Sequence, residues 1–217
     1  MAVPVTRPHA LLLPLLLPGP PAVGWVWVAV DRRPPEWDHA NHLERALECH
    51  RILAEPGHDR VAEIIAKSSF YPPVVLCVTG LAYFLLPVTP LTAQLVMWGF
   101  LVGGTLAVWG LGRRLLDAPA GFIAAIMFAT APFVVFSLLR FQLDLPLAAS
   151  VAIALYALVR ANAFASIGWS LVLGLALGVG MMIKPPFAVY LLPPLAWSAW
   201  RAVLAPGRGP RLGGFGP

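Results

Sequence analysis

Long apolar runs separated by short polar turns fill the second half of this chain. Five of them each hold roughly the 17–25 mostly apolar residues that a membrane-crossing helix requires, and they lie at about 90–112, 119–137, 142–160, 165–183 and 186–204. A sixth candidate, at about 9–30, is interrupted by prolines. Such kinks are tolerated in a membrane when neighbouring helices satisfy the freed carbonyl groups. The pattern predicts an all-α polytopic membrane bundle of about six transmembrane helices.

A more polar stretch, residues 31–90, separates the first candidate span from the others. Its segment 39–55 has helical periodicity, and one face carries apolar residues, namely Leu43, Ala46, Leu47, Leu53 and Ala54. A second short helix is expected at 59–67. Between Pro73 and Pro87 lies an apolar stretch whose helix would cover roughly 20 Å, against a hydrocarbon core of about 30 Å. We therefore expect a long outer loop with juxtamembrane amphipathic helices, and a shallow or re-entrant helix rather than another crossing.

Charge is sparse and unevenly distributed. Only 12% of the residues are charged and 59% are hydrophobic, whereas soluble domains average about 25% charged. With the N-terminus in the cytoplasm, the arginines beside the spans fall on the cytoplasmic side, as the positive-inside rule expects: Arg7, Arg113, Arg114, Arg160, Arg201, Arg208 and Arg211. The net charge of +5 is thus a determinant of topology, and we exclude nucleic acid as a partner. Residues 1–204 form one transmembrane module and 205–217 a flexible Gly/Pro/Arg tail.

Two features leave alternatives open. The segment 9–30 fits a cleaved signal peptide, but no small-x-small cleavage site follows it and Trp25 and Trp27 suit an interfacial anchor, so we favour an uncleaved helix. Cys49 and Cys77 both fall in the outer region, where one disulfide would form in an oxidising compartment. Two unpaired thiols packed against apolar surface are the favoured interpretation.

Several short motifs fall on the outer side. They are Pro-x-Trp-Asp-x-Ala at 35–40, Tyr-Pro-Pro at 71–73, Arg-x-x-x-Asp-x-Pro at 140–146 and Lys-Pro-Pro at 184–186; the inner side carries Gly-Arg-Arg-Leu at 112–115. Their order and sidedness resemble the GT-C-fold glycosyltransferases. More narrowly, the sequence resembles the group that contains dolichyl-phosphate-mannose protein mannosyltransferases, bacterial aminoarabinose lipid A transferases and bacterial lipopolysaccharide glycosyltransferases.

The resemblance implies sugar transfer, with inversion, from a polyprenyl-phosphate donor to a lipid, glycan or protein hydroxyl. The implied location is the outer face of a bacterial-type inner membrane. Asp38 matches the family's catalytic base, which would take the proton of the acceptor hydroxyl. Cations are needed where the leaving phosphate develops charge, and the outer-side candidates are Arg140, Lys184 and Lys67. Asp144 matches the family's second acidic position, and Tyr71 is a further substrate-binding candidate.

This sequence departs from the family in two ways. His39 stands where many relatives carry Glu, and the chain ends after about six spans, so it is expected to be the N-terminal half of a longer enzyme. The histidine spacing fits no zinc site; no cofactor is certain, although a divalent cation would be compatible. A transporter, or a non-catalytic or truncated membrane protein, is the alternative.

Purely structural roles compete for the same residues. Asp144 would act as a helix N-cap with Arg140 as its exposed ion partner. Lys184 would extend from a helix end to the membrane interface. Asp38, next to Trp37, has no obvious capping role.

Overall fold

The computed structural model describes residues 22, 26–27, 30–31, 34–35, 37–55, 59–68 and 70–204. Within these ranges the chain is helical and has no strand. The helices are α1 (Trp37–Ala54), α2 (Arg60–Lys67), α3 (Val74–Ala82), α4 (Pro90–Leu115), α5 (Ala118–Thr130), α6 (Pro132–Leu139), α7 (Asp144–Ala161), α8 (Ile167–Met181) and α9 (Phe187–Leu204). The predicted span at 9–30 and the predicted tail at 205–217 lie outside these ranges, apart from isolated residues of the former.

The helical membrane bundle is confirmed, but within the described residues fewer helices than predicted are long enough to cross a membrane. By length and composition, α4, α7 and α9 could cross a membrane, and α5 with α6 would make a fourth span if the bent pair counts as one. Helix α8 is apolar but has only 15 residues, about 22 Å of helix. Helix α3, at 9 residues, is too short to cross, as the sequence predicted.

The predicted span at 119–137 is broken into α5 and α6, whose axes differ by 46°. The break lies at Ala131, which has φ −56° and ψ 129°, directly before Pro132. A proline ring clashes with a helical conformation of the residue before it and pushes that residue into the extended region. Pro132 then begins α6, where its missing N–H costs no helical hydrogen bond.

Side-chain caps and glycines determine how the spans begin and how closely they pack. Asp117 Oδ1 accepts a hydrogen bond from the Ala120 backbone N–H at 2.8 Å and caps α5. Helices α4 and α5 approach each other at Gly112 and Gly121, since a Cβ added to Gly112 would lie 2.5 Å from the Gly121 Cα. Small residues of this kind allow close helix packing in lipid.

The outer segment is joined to the bundle by α3. A disulfide links Cys49 of α1 to Cys77 of α3, with their Cα atoms 5.3 Å apart, so the favoured expectation of unpaired thiols was wrong. A Cβ on Gly80 would lie 2.9 Å from the backbone of α1, so only glycine fits this close helix contact. The Val74 N–H also donates to the Met182 carbonyl at 3.2 Å, which fixes the start of α3 at the end of α8.

The buried face of α1 is rotated from the predicted one. The structure buries His42, Ala46, Cys49 and Ile52, whereas the prediction placed Leu53 and Ala54 inward and left His42 out. The reason is the contact with α3: the disulfide and the Gly80 contact turn the Cys49 side of α1 inward. Apolar periodicity alone does not contain that constraint.

Candidate active site at one end of the bundle

An ion pair between two distant parts of the chain forms the centre of the site. Lys184 Nζ lies 2.7 Å from Asp144 Oδ1, and the two side chains are only 20% and 30% exposed. Asp144 begins α7, while Lys184 follows α8. Their chain neighbours Leu143, Leu145 and Ile183 belong to the hydrophobic core, so both charged groups are held by buried backbone.

This pair corrects three expectations. Helix α7 has no side-chain cap at its N-terminus, so Asp144 does not act as an N-cap. The ion partner of Asp144 is Lys184 rather than Arg140. Lys184 does not extend freely to the interface, because its ammonium is held by the carboxylate. A charge-assisted hydrogen bond of this kind is short and strong.

Two rings adjoin the ion pair. Lys184 Nζ lies 5.7 Å from the centre of the Tyr71 ring, and Tyr71 meets the His42 ring edge-to-face at 5.0 Å. His42 is 2% exposed, and its Nδ1 has no hydrogen-bond partner among the described residues. A small cavity of about 30 Å³ is lined by both rings, enough for one or two water molecules.

His42 lies within electrostatic range of most of the predicted site. Its pKa is lowered chiefly by burial; Asp38 and Asp144 oppose this shift, while Lys184 and His39 reinforce it. His42 is therefore neutral at neutral pH. Asp38 and both members of the ion pair thus act electrostatically on the same ring.

Asp38 lies in the first turn of α1 and is exposed to solvent. A carboxylate in the first turn interacts favourably with the helix dipole, a structural role that the sequence reasoning did not consider for Asp38. The preceding residue, Trp37, is 91% exposed and has φ 48°.

Arg140 and His39 form the other side of the site. Burial is the main cause that lowers the pKa of His39, the Arg140 guanidinium adds to the shift, and Asp31 opposes it. The Arg140 guanidinium carbon lies 5.9 Å from the Phe136 ring centre. The next residue, Phe141, is buried with φ 47°, an unusual conformation for a bulky residue. The structure thus brings Asp38, Arg140, Asp144, Lys184 and Tyr71 to one end of the bundle.

Lys67 is engaged elsewhere. Its ammonium lies 3.2 Å from Glu63 and 3.5 Å from Glu48, and the hydrogen bond to Glu63 is the main cause that raises its pKa. It lines the small cavity together with Arg45 and Glu48, whereas Lys184 does not line it. A phosphate contact at Lys67 stays a prediction that this geometry does not favour.

His42 is the member of the site that the sequence reasoning missed. The sequence reasoning considered the histidines near the start of α1 only as zinc ligands. Among the described residues no three Cys, His, Asp or Glu side chains come together in a way that would hold a metal ion. The signal that could have found His42 is its position one helical turn after Asp38, since residues four apart share a helix face.

Comparison with known proteins identifies one family. The sequence model described as dolichyl-phosphate-mannose-protein mannosyltransferase matches residues 71–212, more than half of the chain. The match includes Tyr71, Arg140, Asp144 and Lys184, and it begins after α1. No curated protein and no solved structure matches the chain significantly.

Proposed function

Because the chain belongs to the dolichyl-phosphate-mannose-protein mannosyltransferase family, we propose that it transfers a sugar from a polyprenyl-phosphate donor to a hydroxyl acceptor. Membership makes it a membrane glycosyltransferase of the mannosyltransferase type. The transfer is proposed to invert the anomeric centre and to take place on the outer face of the membrane. The observation that carries the proposal is the gathering of Asp38, His42, Tyr71, Arg140 and the Asp144–Lys184 pair at one end of the bundle.

Asp38 is the proposed general base. An acceptor hydroxyl is a weak nucleophile until a positioned carboxylate takes its proton as the new bond forms. Asp38 is exposed and lies in the first turn of α1, one helical turn before the buried His42. Since burial keeps His42 neutral, the ring adds no positive charge that would weaken Asp38 as a base.

Arg140 and Lys184 are the proposed phosphate contacts. The leaving polyprenyl phosphate gains negative charge as the bond to the sugar breaks, and fixed cations stabilise that charge. Within the described residues Arg140 forms no ion pair with a carboxylate, so its guanidinium is available to an anion. Asp144 is proposed to hold the Lys184 ammonium in place, and Tyr71 to pack against the sugar or the lipid phosphate.

The disulfide supports an outward orientation. Disulfides persist in oxidising compartments and are rare in the cytosol. Cys49 and Cys77 join α1 to α3 beside the site, whereas Arg113, Arg114 and Arg160 lie together at the opposite end. Both the redox chemistry and the positive-inside rule thus favour a site that faces away from the cytoplasm.

The transporter alternative has less support. Transporters tend to place ionisable groups at the membrane midplane inside their spans. In α4, α7 and α9 the charged residues lie in the first or last turns. The geometry favours chemistry at a membrane surface over passage through it.

The test is sugar transfer by the full chain in membranes supplied with polyprenyl-phosphate mannose. Asp38→Asn is expected to lower the transfer rate by 10²–10⁴-fold, roughly the contribution of a general base, while the donor still binds. Lys184→Met and Arg140→Met are expected to weaken donor binding itself. Protease accessibility of the outer loop checks that each variant inserts normally.

Asp59→Asn is the matched control. Asp59 lies in the same outer loop and caps α2 through the Ala62 N–H at 3.1 Å, and asparagine caps a helix as well as aspartate. The control removes the same charge without touching the site, so transfer should be unchanged. Undiminished transfer by Asp38→Asn, or equal loss in both variants, would remove Asp38 from the mechanism.

A further inference from the structure

A second charged site lies at the other end of the bundle. An open cleft of about 640 Å³ runs between α4 and α7, and three arginines line it: Arg113, Arg114 and Arg160. Among the described residues that line this cleft none is acidic. The nearest acid along α4 and α5, Asp117, uses one carboxylate oxygen to cap α5. The cleft is therefore strongly positive.

Polarity changes along the cleft in one direction. Gly103 and Leu106 line it on α4 and Ile153 on α7, while the arginines lie at the ends of both helices. Gly103 precedes Arg113 by ten residues, about 15 Å along a helix axis. One end of the cleft is thus apolar and lies within the span, and the other end is cationic and lies at the membrane interface.

Aromatic rings hold the arginines in place. The Arg113 guanidinium lies 4.5 Å from the centre of the Trp109 ring and that of Arg160 lies 4.8 Å from the centre of the Trp169 ring. A guanidinium stacked on a ring keeps its planar fork, which matches the oxygens of a phosphate. Arg113 forms no ion pair with a carboxylate among the described residues.

Glycine keeps the cleft open. A Cβ on Gly110 would lie 2.6 Å from Tyr156 of α7, so the Tyr156 ring lies against the bare α4 backbone. A larger residue there would push Tyr156 into the space that the cleft occupies. The opening between α4 and α7 is therefore a consequence of the sequence at Gly103 and Gly110.

We propose that this cleft binds an anionic membrane lipid, with the phosphate headgroup against Arg113, Arg114 and Arg160 and an acyl chain along the apolar wall. Basic pockets between transmembrane helices on the cytoplasmic side are suited to such headgroups. A soluble anion would use only the cationic end, whereas a lipid also fills the apolar part. The site is separate from the proposed catalytic end and does not depend on its chemistry.

The test uses the full chain in nanodiscs of phosphatidylcholine with increasing amounts of phosphatidylglycerol. Binding is read as phosphatidylglycerol retained on the purified protein, measured by native mass spectrometry. Near a membrane surface each arginine is worth about 1 kcal/mol, or about fivefold in affinity. Arg113→Gln with Arg160→Gln should therefore weaken phosphatidylglycerol binding by about 30-fold.

Arg201→Gln is the matched control. Arg201 lies in the last turn of α9, at the same side of the membrane, and does not line the cleft. It should bind phosphatidylglycerol like the unaltered chain. Equal weakening in this control would show that net charge alone attracts the lipid, and would overturn the proposal.

Two further arms complete the test. If the double variant unfolds in pure phosphatidylcholine, Arg114→Gln alone replaces it, since Arg114 is exposed, and about fivefold weaker binding is expected. Inorganic phosphate is added in place of the lipid as the second arm. Displacement of the lipid by millimolar phosphate, or unchanged binding in the arginine variants, would contradict a lipid site.

Discussion

Reduction of the disulfide is the sharpest perturbation that the structure offers, because it removes no atom from the side chains that pack around it. Cys49 and Cys77 are the only two cysteines of the chain, and both are in the bond. Their bridge holds α1, which carries Asp38 and His42, against α3. We expect reduction to loosen the docking of α1 while the membrane bundle stays intact.

The size of the effect follows from the loop that the bond closes. The two cysteines are 28 residues apart, and the chain-entropy relation gives about 3.6 kcal/mol for a loop of this length. At 1.36 kcal/mol per factor of ten, the equilibrium for local opening of α1 should increase by about 400-fold. The value lies within the range of about 2–5 kcal/mol that loss of a native disulfide typically costs a small secreted domain.

Hydrogen exchange followed by mass spectrometry measures that opening. Backbone amides of α1 and α3 should exchange faster after reduction, while amides of α4 and α7 serve as internal controls and should not change. Cys49→Ala, Cys77→Ala and the double variant should each resemble the reduced chain. Sugar transfer should decrease along with the loosening of α1.

Three results would refute the reasoning. The first is alkylation of either cysteine before any reductant is added. The second is unchanged exchange of α1 after complete reduction. The third is a double cysteine variant in which the loss of α1 protection equals the sum of the losses in the two single variants. Each single variant already breaks the one disulfide, so the second substitution has no bond left to break.

Two further predictions concern the groups beside the ion pair. The pKa of His42 is lowered by burial, so between that pKa and about 6.5 the unfolded state binds more protons than the folded state. Docking of α1 should therefore weaken as the pH falls through this window. His42→Gln should flatten this pH dependence, which hydrogen exchange of the α1 amides measures. Lys184→Met should lower the free energy of unfolding by about 1.5–3 kcal/mol, the range for a hydrogen bond to a charged group. In unfolding titrations, the Asp144→Asn/Lys184→Met double variant should lose less free energy of unfolding than the two single variants lose together.

The sequence carries most of the information on the membrane helices. Hydropathy marks helices well because every backbone polar group must be bonded inside lipid, and the apolar runs at 90–112, 142–160 and 186–204 coincide with α4, α7 and α9. The run at 119–137 is apolar throughout, so hydropathy predicted a single helix there. Pro132 prevents a helical conformation at Ala131 and divides the run into two helices. The run at 165–183 shortened to α8 because turns take residues from both of its ends.

For the site, the sequence predicted only that its residues lie on the same side of the membrane. Topology places Asp38, Arg140, Asp144 and Lys184 on one face without specifying which of them touch. The pairing of Asp144 with Lys184, across 40 residues, depends on how α7 and α8 pack. The bridge between Cys49 and Cys77 depends on how α1 packs against α3. Apolar periodicity could not rank His42 as buried, because histidine is polar and its burial follows from contacts with Tyr71 and α3.

The ion pair of Asp144 and Lys184 also affects the free energy of placing this part of the chain in the bilayer. Helices α7 and α8 form an antiparallel hairpin, and these two residues terminate its open end. Each charge alone would oppose insertion by about 2.5–3.5 kcal/mol at the bilayer centre. Joined by their 2.7 Å contact, they present a dipole of no net charge, which opposes placement at the edge of the bilayer less than either isolated charge would.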